Sequence, residues 1–210
     1  MKNWKCTVCG YLHAGNKPLS QCPVCKADQR KFIPVQEGEK AEQKGSYTEV
    51  GSDQVQPIDI PFLGTRFRGI FALLIRRHMH PISSHVPNGV LPMSVLFIVL
   101  AAIFGWQGVS QAVLYNMVFV LLALPFVLFS GYLEWKFKYG GHWTWLFRVK
   151  ISCALATFAL ALLLTVWLAL NPDLLTVSGE GRAVFVLLGL AILAAAGTAG
   201  YLGGKLVFKD

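Results

Sequence analysis

The chain has 210 residues, 54% of them hydrophobic and only 14% charged, with a formal net charge of +8. A soluble domain carries about 25% charged residues, so this deficit argues against a wholly soluble globule and for a membrane class. The basic excess would suggest nucleic acid in a soluble protein. Here Arg66, Arg68, Arg76, Arg77, Lys136, Lys138, Arg148 and Lys150 all flank apolar segments, which points to a lipid bilayer and its headgroups and to no nucleic-acid partner.

In chain order, residues 1–34 come first and hold Trp4, Cys6, Cys9, Gly10, Tyr11, Pro18, Cys22, Pro23, Cys25 and Phe32. This apolar content is too small to fold alone, so a bound metal is expected to supply much of the stability. Four of the five cysteines form two CxxC pairs, Cys6 with Cys9 and Cys22 with Cys25. Paired CxxC spacing with an odd cysteine left over suits metal ligation in a reducing compartment better than a disulfide framework. Each pair can form a tight turn whose backbone N–H groups face thiolate sulfur. Two such turns facing each other make a tetrahedral cage, which suits iron or zinc without choosing between them. Gly10 and Lys26 follow the two pairs where a covalent c-type haem would need His. Cys153 lies in an apolar run and reads as a small packing residue.

Residues 35–61 read as a flexible linker of low hydrophobicity, with an r.m.s. reach of roughly 25–30 Å. Residues 62–80 mix Phe62, Leu63, Phe67, Ile70 and Phe71 with four arginines, the composition of an amphipathic segment lying in a membrane interface. Residues 81–210 then form an all-α membrane domain. Four transmembrane helices are predicted near 88–106, 112–133, 149–170 and 183–204, each close to the ~20 residues a bilayer requires. Pro92 and Pro125 are candidate kinks, and Ala196, Gly200 and Gly204 give the last helix a face for close packing. The basic residues before the first span, between the second and third, and in the tail predict cytoplasmic N- and C-termini in a bacterial-type inner membrane. This places the cysteines in the reducing compartment.

The run Trp4-Lys5-Cys6-Thr7-Val8-Cys9-Gly10-Tyr11, then Pro18, Cys22-Pro23-Val24-Cys25 and Phe32, resembles a rubredoxin domain, in the short form that ends rubrerythrins. The resemblance implies a small β-rich domain whose four cysteines bind one iron that cycles between ferrous and ferric. It also suggests peroxide or superoxide defence as a context. Lys26 departs from the glycine common at its position. A zinc ribbon acting as a membrane scaffold or sensor, without redox activity, is the alternative reading. Further along, His80-Pro81 through Pro87, with Gly131 to Trp135, resembles more loosely a poorly characterised family of four-helix bacterial membrane proteins.

His78, His80, His85 and His142 are predicted on the same side as the cysteines, near Glu134 at the end of the second span. Ionisable groups gathered at a membrane boundary suggest function. In one reading His85 and His142, with His80 nearby, hold haem b; in another, His80, His85, Glu134 and His142 hold a second metal; in a third, all are ordinary headgroup-level histidines. The expected function is single-electron transfer between the cysteine-bound iron, a soluble redox partner or reductase, and a membrane cofactor or quinone. No catalytic residue is singled out, and whether the chain is itself an oxidoreductase stays open.

Overall fold

A computed structural model of the chain describes residues 2–35 and 79–208. The segments read as linker (35–61) and as interfacial helix (62–80) lie almost wholly outside the described residues. At the N-terminus three short strands, β1 (Lys2–Cys6), β2 (Leu12–Gly15) and β3 (Phe32–Val35), form an antiparallel sheet in the order β2-β1-β3. Pairing sets Trp4 opposite His13 on one side and Cys6 opposite Phe32 on the other. The Trp4 indole N–H donates to the Gly15 carbonyl at 3.1 Å and pins the β1–β2 hairpin. The buried core of this unit is little more than Val8, Tyr11, Val24, Ala27, Phe32 and the four cysteines. Apolar burial that small leaves the sheet dependent on whatever joins the sulfurs.

Four helices follow: α1 (Met79–Phe104), α2 (Gln107–Leu133), α3 (Trp145–Leu170) and α4 (Glu180–Phe208). With 26 to 29 residues each at about 1.5 Å per residue, all are long and apolar enough to cross a membrane. The described part of α1 already starts at Met79, nine residues ahead of the predicted start near residue 88. His80 and His85 therefore lie on the first span and not ahead of it. The helices also run unbroken through Pro87, Pro92 and Pro125. Only Gly105 and Trp106 separate α1 from α2.

The bundle core draws on all four helices. From Ser110 to Val127 the buried positions of α2 are Ser110, Val113, Met117, Val120, Leu124 and Val127, spaced alternately three and four apart, the repeat that keeps one stripe turned toward neighbouring helices. They join Leu91, Val95 and Ile98 of α1, Ala161, Leu164 and Leu168 of α3, and Phe185, Ile192 and Ala196 of α4. The opposite faces are apolar too: Leu122, Leu170 and Leu187 are each more than 60% exposed. A helix apolar all round suits a lipid surround rather than water.

Near one end of α1 the imidazole of His80 seats against α2. Its Nδ1 lies 3.2 Å from the Val127 carbonyl and 3.4 Å from the Ser130 hydroxyl. A carbonyl oxygen can only accept, so Nδ1 carries the proton. Gly131 makes the space, because a Cβ there would stand 2.8 Å from His80 Cε1. Gly131→Ala is expected to displace the ring and destabilise the bundle by about 1 kcal/mol, and to be nearly neutral in a His80→Ala background. Thermal unfolding of the detergent-purified double-mutant cycle checks this; equal effects in both backgrounds would show that the ring does not occupy that space.

Candidate metal centre

The two CxxC turns repeat one hydrogen-bond pattern. The Cys6 N–H donates to the Tyr11 carbonyl and the Gly10 N–H to the Cys6 carbonyl, at 2.8 and 2.9 Å. The Cys22 N–H donates to the Ala27 carbonyl and the Lys26 N–H to the Cys22 carbonyl, also at 2.8 and 2.9 Å. Closing each turn takes a left-handed residue just after the second cysteine: Gly10 has φ +79 and Lys26 has φ +60. Glycine adopts this conformation freely, whereas lysine gives up about 1–2 kcal/mol to do so.

These turns bring the four sulfurs into one cage. Cys6 Sγ lies 3.6 Å from Cys25 Sγ, and Cys9 Sγ lies 3.6 Å from Cys22 Sγ. All four ligand atoms fall within 4.8 Å of one another, and all four cysteines are buried. A disulfide would need about 2.05 Å, whereas a tetrahedron with metal–sulfur bonds of about 2.3 Å has edges of about 3.8 Å. The donor set therefore fits a tetrahedral thiolate metal. The sulfurs also partition protons unequally: hydrogen bonding from Cys22 holds Cys6 and Cys25 below the usual thiol range, while hydrogen bonding with Cys22 pushes Cys9 up and with Cys25 pushes Cys22 up. A metal must displace those protons, so its affinity falls as pH falls.

Beside the cage lies the segment joining α2 to α3, which belongs to the same structural unit as the N-terminal sheet. α2 runs on into a π-helical turn, Glu134–Lys138, and the chain reverses through Gly140 and Gly141, both at φ +66. Indole and ring contacts brace this segment. The Trp135 N–H donates to the His142 carbonyl at 3.1 Å, Trp135 and Trp143 meet edge to face at 4.7 Å, and Tyr139 packs on Phe147 at 5.2 Å. Two contacts reach the sheet unit. The Tyr11 and His142 rings stand 6.4 Å apart, and a Cβ on Gly10 would lie 3.8 Å from the Thr144 Cβ. Burial raises the Tyr139 hydroxyl above its ordinary pKa, and the Cys25 sulfur adds a smaller push in the same direction. Burial lowers the His142 pKa.

Of the other predicted site residues, Glu134 pairs with Lys138 at 2.6 Å, His80 is held by Val127 and Ser130, His142 rests near Tyr11, and His85 is exposed on α1. Among the described residues the four cysteines form the one group of three or more candidate ligands. The sequence reading missed Thr144, which is 5% exposed, and whose Oγ1 is fully buried with no hydrogen-bond partner among the described residues. Burying such a hydroxyl unsatisfied costs about 1–3 kcal/mol. No periodicity or motif marks it.

The N-terminal unit is a rubredoxin-like domain. Residues 4–33 match the family described as the rubrerythrin, rubredoxin-like domain. Over 40 residues the chain is 50% identical to reverse rubrerythrin-1 of Clostridium acetobutylicum, an overlap of 19% of this chain and 22% of that protein. The chain thus covers about a fifth of the curated relative it matches. No solved structure matches it.

The strain at Lys26 gives a direct test. Lys26→Gly is expected to stabilise the metal-loaded domain by about 1 kcal/mol, read as a higher chelator concentration at half-release. An unchanged or lower midpoint would mean that the second turn is not strained at this residue.

Proposed function

We propose that this protein is a membrane-anchored one-electron carrier whose redox centre is an iron held by Cys6, Cys9, Cys22 and Cys25. One observation carries the reading: four buried sulfurs at tetrahedral spacing, within residues that match a rubredoxin-like domain. When bound, iron in such a cage supplies a ferrous/ferric couple. The protein's part is to keep that centre dry and its ligands fixed. Val8, Tyr11, Val24 and Phe32 exclude water around the sulfurs, and the paired backbone hydrogen bonds hold both turns closed. Ligands held in one arrangement need little reorganisation when the charge of the centre changes.

The four apolar helices anchor this centre at a bacterial-type cytoplasmic membrane, with both termini on the cytoplasmic side. Support for that orientation comes from the basic residues flanking the spans. A soluble reductase or redox partner exchanges electrons with the head, and the head exchanges them in turn with a membrane acceptor, quinone or haem b. Haem on His85 and His142, with His80 nearby, or a metal on His80, His85, Glu134 and His142, is supported by sequence position alone. Defence against peroxide or superoxide is the physiological setting suggested by the likeness to a reverse rubrerythrin.

Protein purified from iron-replete cells should contain one iron per chain and show visible thiolate-to-iron bands that bleach with dithionite. Cys9→Ser should lose those bands and much of the metal while the helical bundle is still extracted intact. Stoichiometric zinc without visible bands would replace this reading with a zinc-ribbon scaffold or sensor.

A further inference from the structure

Residues 2–35 carry six basic side chains, Lys2, Lys5, Lys17, Lys26, Arg30 and Lys31, and one acidic side chain, Asp28. Asp28 is already taken up, its carboxylate accepting from the Arg30 guanidinium at 3.1 Å. Three of the remaining cations flank the cage. Lys5 directly precedes Cys6, and Lys26 directly follows Cys25. Lys31 is tied to the first turn, its carbonyl accepting from the Thr7 N–H at 2.8 Å and from the Thr7 hydroxyl at 3.0 Å. Lys26 is the most informative of the three. It is exposed, and it adjoins Cys25, the one ligand residue with any solvent exposure, 4% against 0% for the other three. The second turn is therefore where the cage comes nearest to water. Lys26 also holds φ +60, a conformation that glycine would adopt without strain. The Gln21 side-chain amide donates to its carbonyl at 3.2 Å and helps to hold it there. A strained residue kept at the solvent edge of a metal site argues for a use of its side chain.

We propose that Lys26, with Lys5 and Lys31, forms a basic collar at the solvent edge of the cage that docks an acidic, soluble electron-transfer protein. The inference rests on the one-electron carrier reading above and gives its soluble partner a chemistry. Charge complementarity selects that partner: a surface rich in Asp and Glu is drawn to the collar and turned toward Cys25, whereas a basic surface is repelled. In the step that follows, one electron leaves the partner's reduced centre, which is oxidised, and the cysteine-bound ferric iron becomes ferrous. No bond forms or breaks, and no proton moves. An anionic lipid headgroup offers the same sign of charge but carries no electron, and so gives no reason for a strained cation to stand at this edge. Lys26 thereby exchanges local stability for recognition.

The test uses the full chain, iron-loaded, in nanodiscs of zwitterionic lipid, with a chemically reduced, acidic plant-type ferredoxin as the probe. Stopped-flow bleaching of the visible iron–thiolate bands gives the second-order rate constant. That constant should fall steeply as ionic strength rises from about 0.01 to about 0.5 M, as screening requires for opposite charges. At low salt Lys26→Glu should be slower by about tenfold, and Lys26→Arg close to native. Lys26→Gly should also be slower although it is expected to hold metal more firmly, a split that a purely structural lysine does not produce. Lys31→Glu carries the same prediction should Lys26→Glu fail to load iron. A native rate indifferent to salt, or charge-reversed variants as fast as the native protein, would overturn the proposal. So would loss of the reaction on adding phosphatidylglycerol to the nanodiscs, regained with Lys26→Glu, because the collar would then be a headgroup site. Bleaching by dithionite in the same samples tests the iron reading separately. If the cage holds zinc, salt-dependent binding of the oxidised ferredoxin, weakened by Lys26→Glu, still decides for or against the collar.

Discussion

Four sulfurs confined within 4.8 Å of one another cannot all carry charge without a cation among them, and the N-terminal unit is built around that constraint. Without metal the site keeps protons, shared so that Cys6 and Cys25 are depressed and Cys9 and Cys22 raised. With metal, the two turns are joined through a common centre. The sheet alone offers only three strands of four or five residues and a handful of buried side chains. A metal held there would therefore be a structural member as well as a redox centre, as expected for a domain this small. The positive φ at Gly10 and Lys26 is the local conformational requirement for closing both turns.

The helical part answers a different constraint. Its buried stripes pack the helices on one another, while the outward faces stay apolar, as suits helices long and apolar enough to cross a membrane. The α2–α3 segment connects this bundle to the head. It is rich in aromatic rings, reverses through two glycines, and presents His142 and Thr144 to Tyr11 and Gly10.

Much of this architecture was legible in the sequence. The CxxC spacing and the residues around it gave the cage, its four ligands and a strand-rich unit, because ligand geometry is local and each turn needs only six residues. The four spans were legible because runs so long and apolar have few other uses. The start of the first was less so: helix already covers Met79, ahead of the apolar run that marks the span. The histidines show the limit most clearly. The side chains of two of them are placed by neighbours distant in sequence: Gly131 opens the space for His80, and Tyr11 stands against His142. Thr144 lay beyond sequence reading altogether, since its buried hydroxyl is marked only by an unsatisfied atom, which leaves no pattern in the chain.

The central claim is that a single cysteine-bound iron cycles reversibly at the membrane. Its most direct test is a potentiometric titration of the full chain in lipid vesicles, following the visible iron–thiolate band in both directions. The account predicts one reversible one-electron wave whose amplitude corresponds to the bound iron and which vanishes in Cys9→Ser. A metal-loaded native protein with no reversible wave would contradict it.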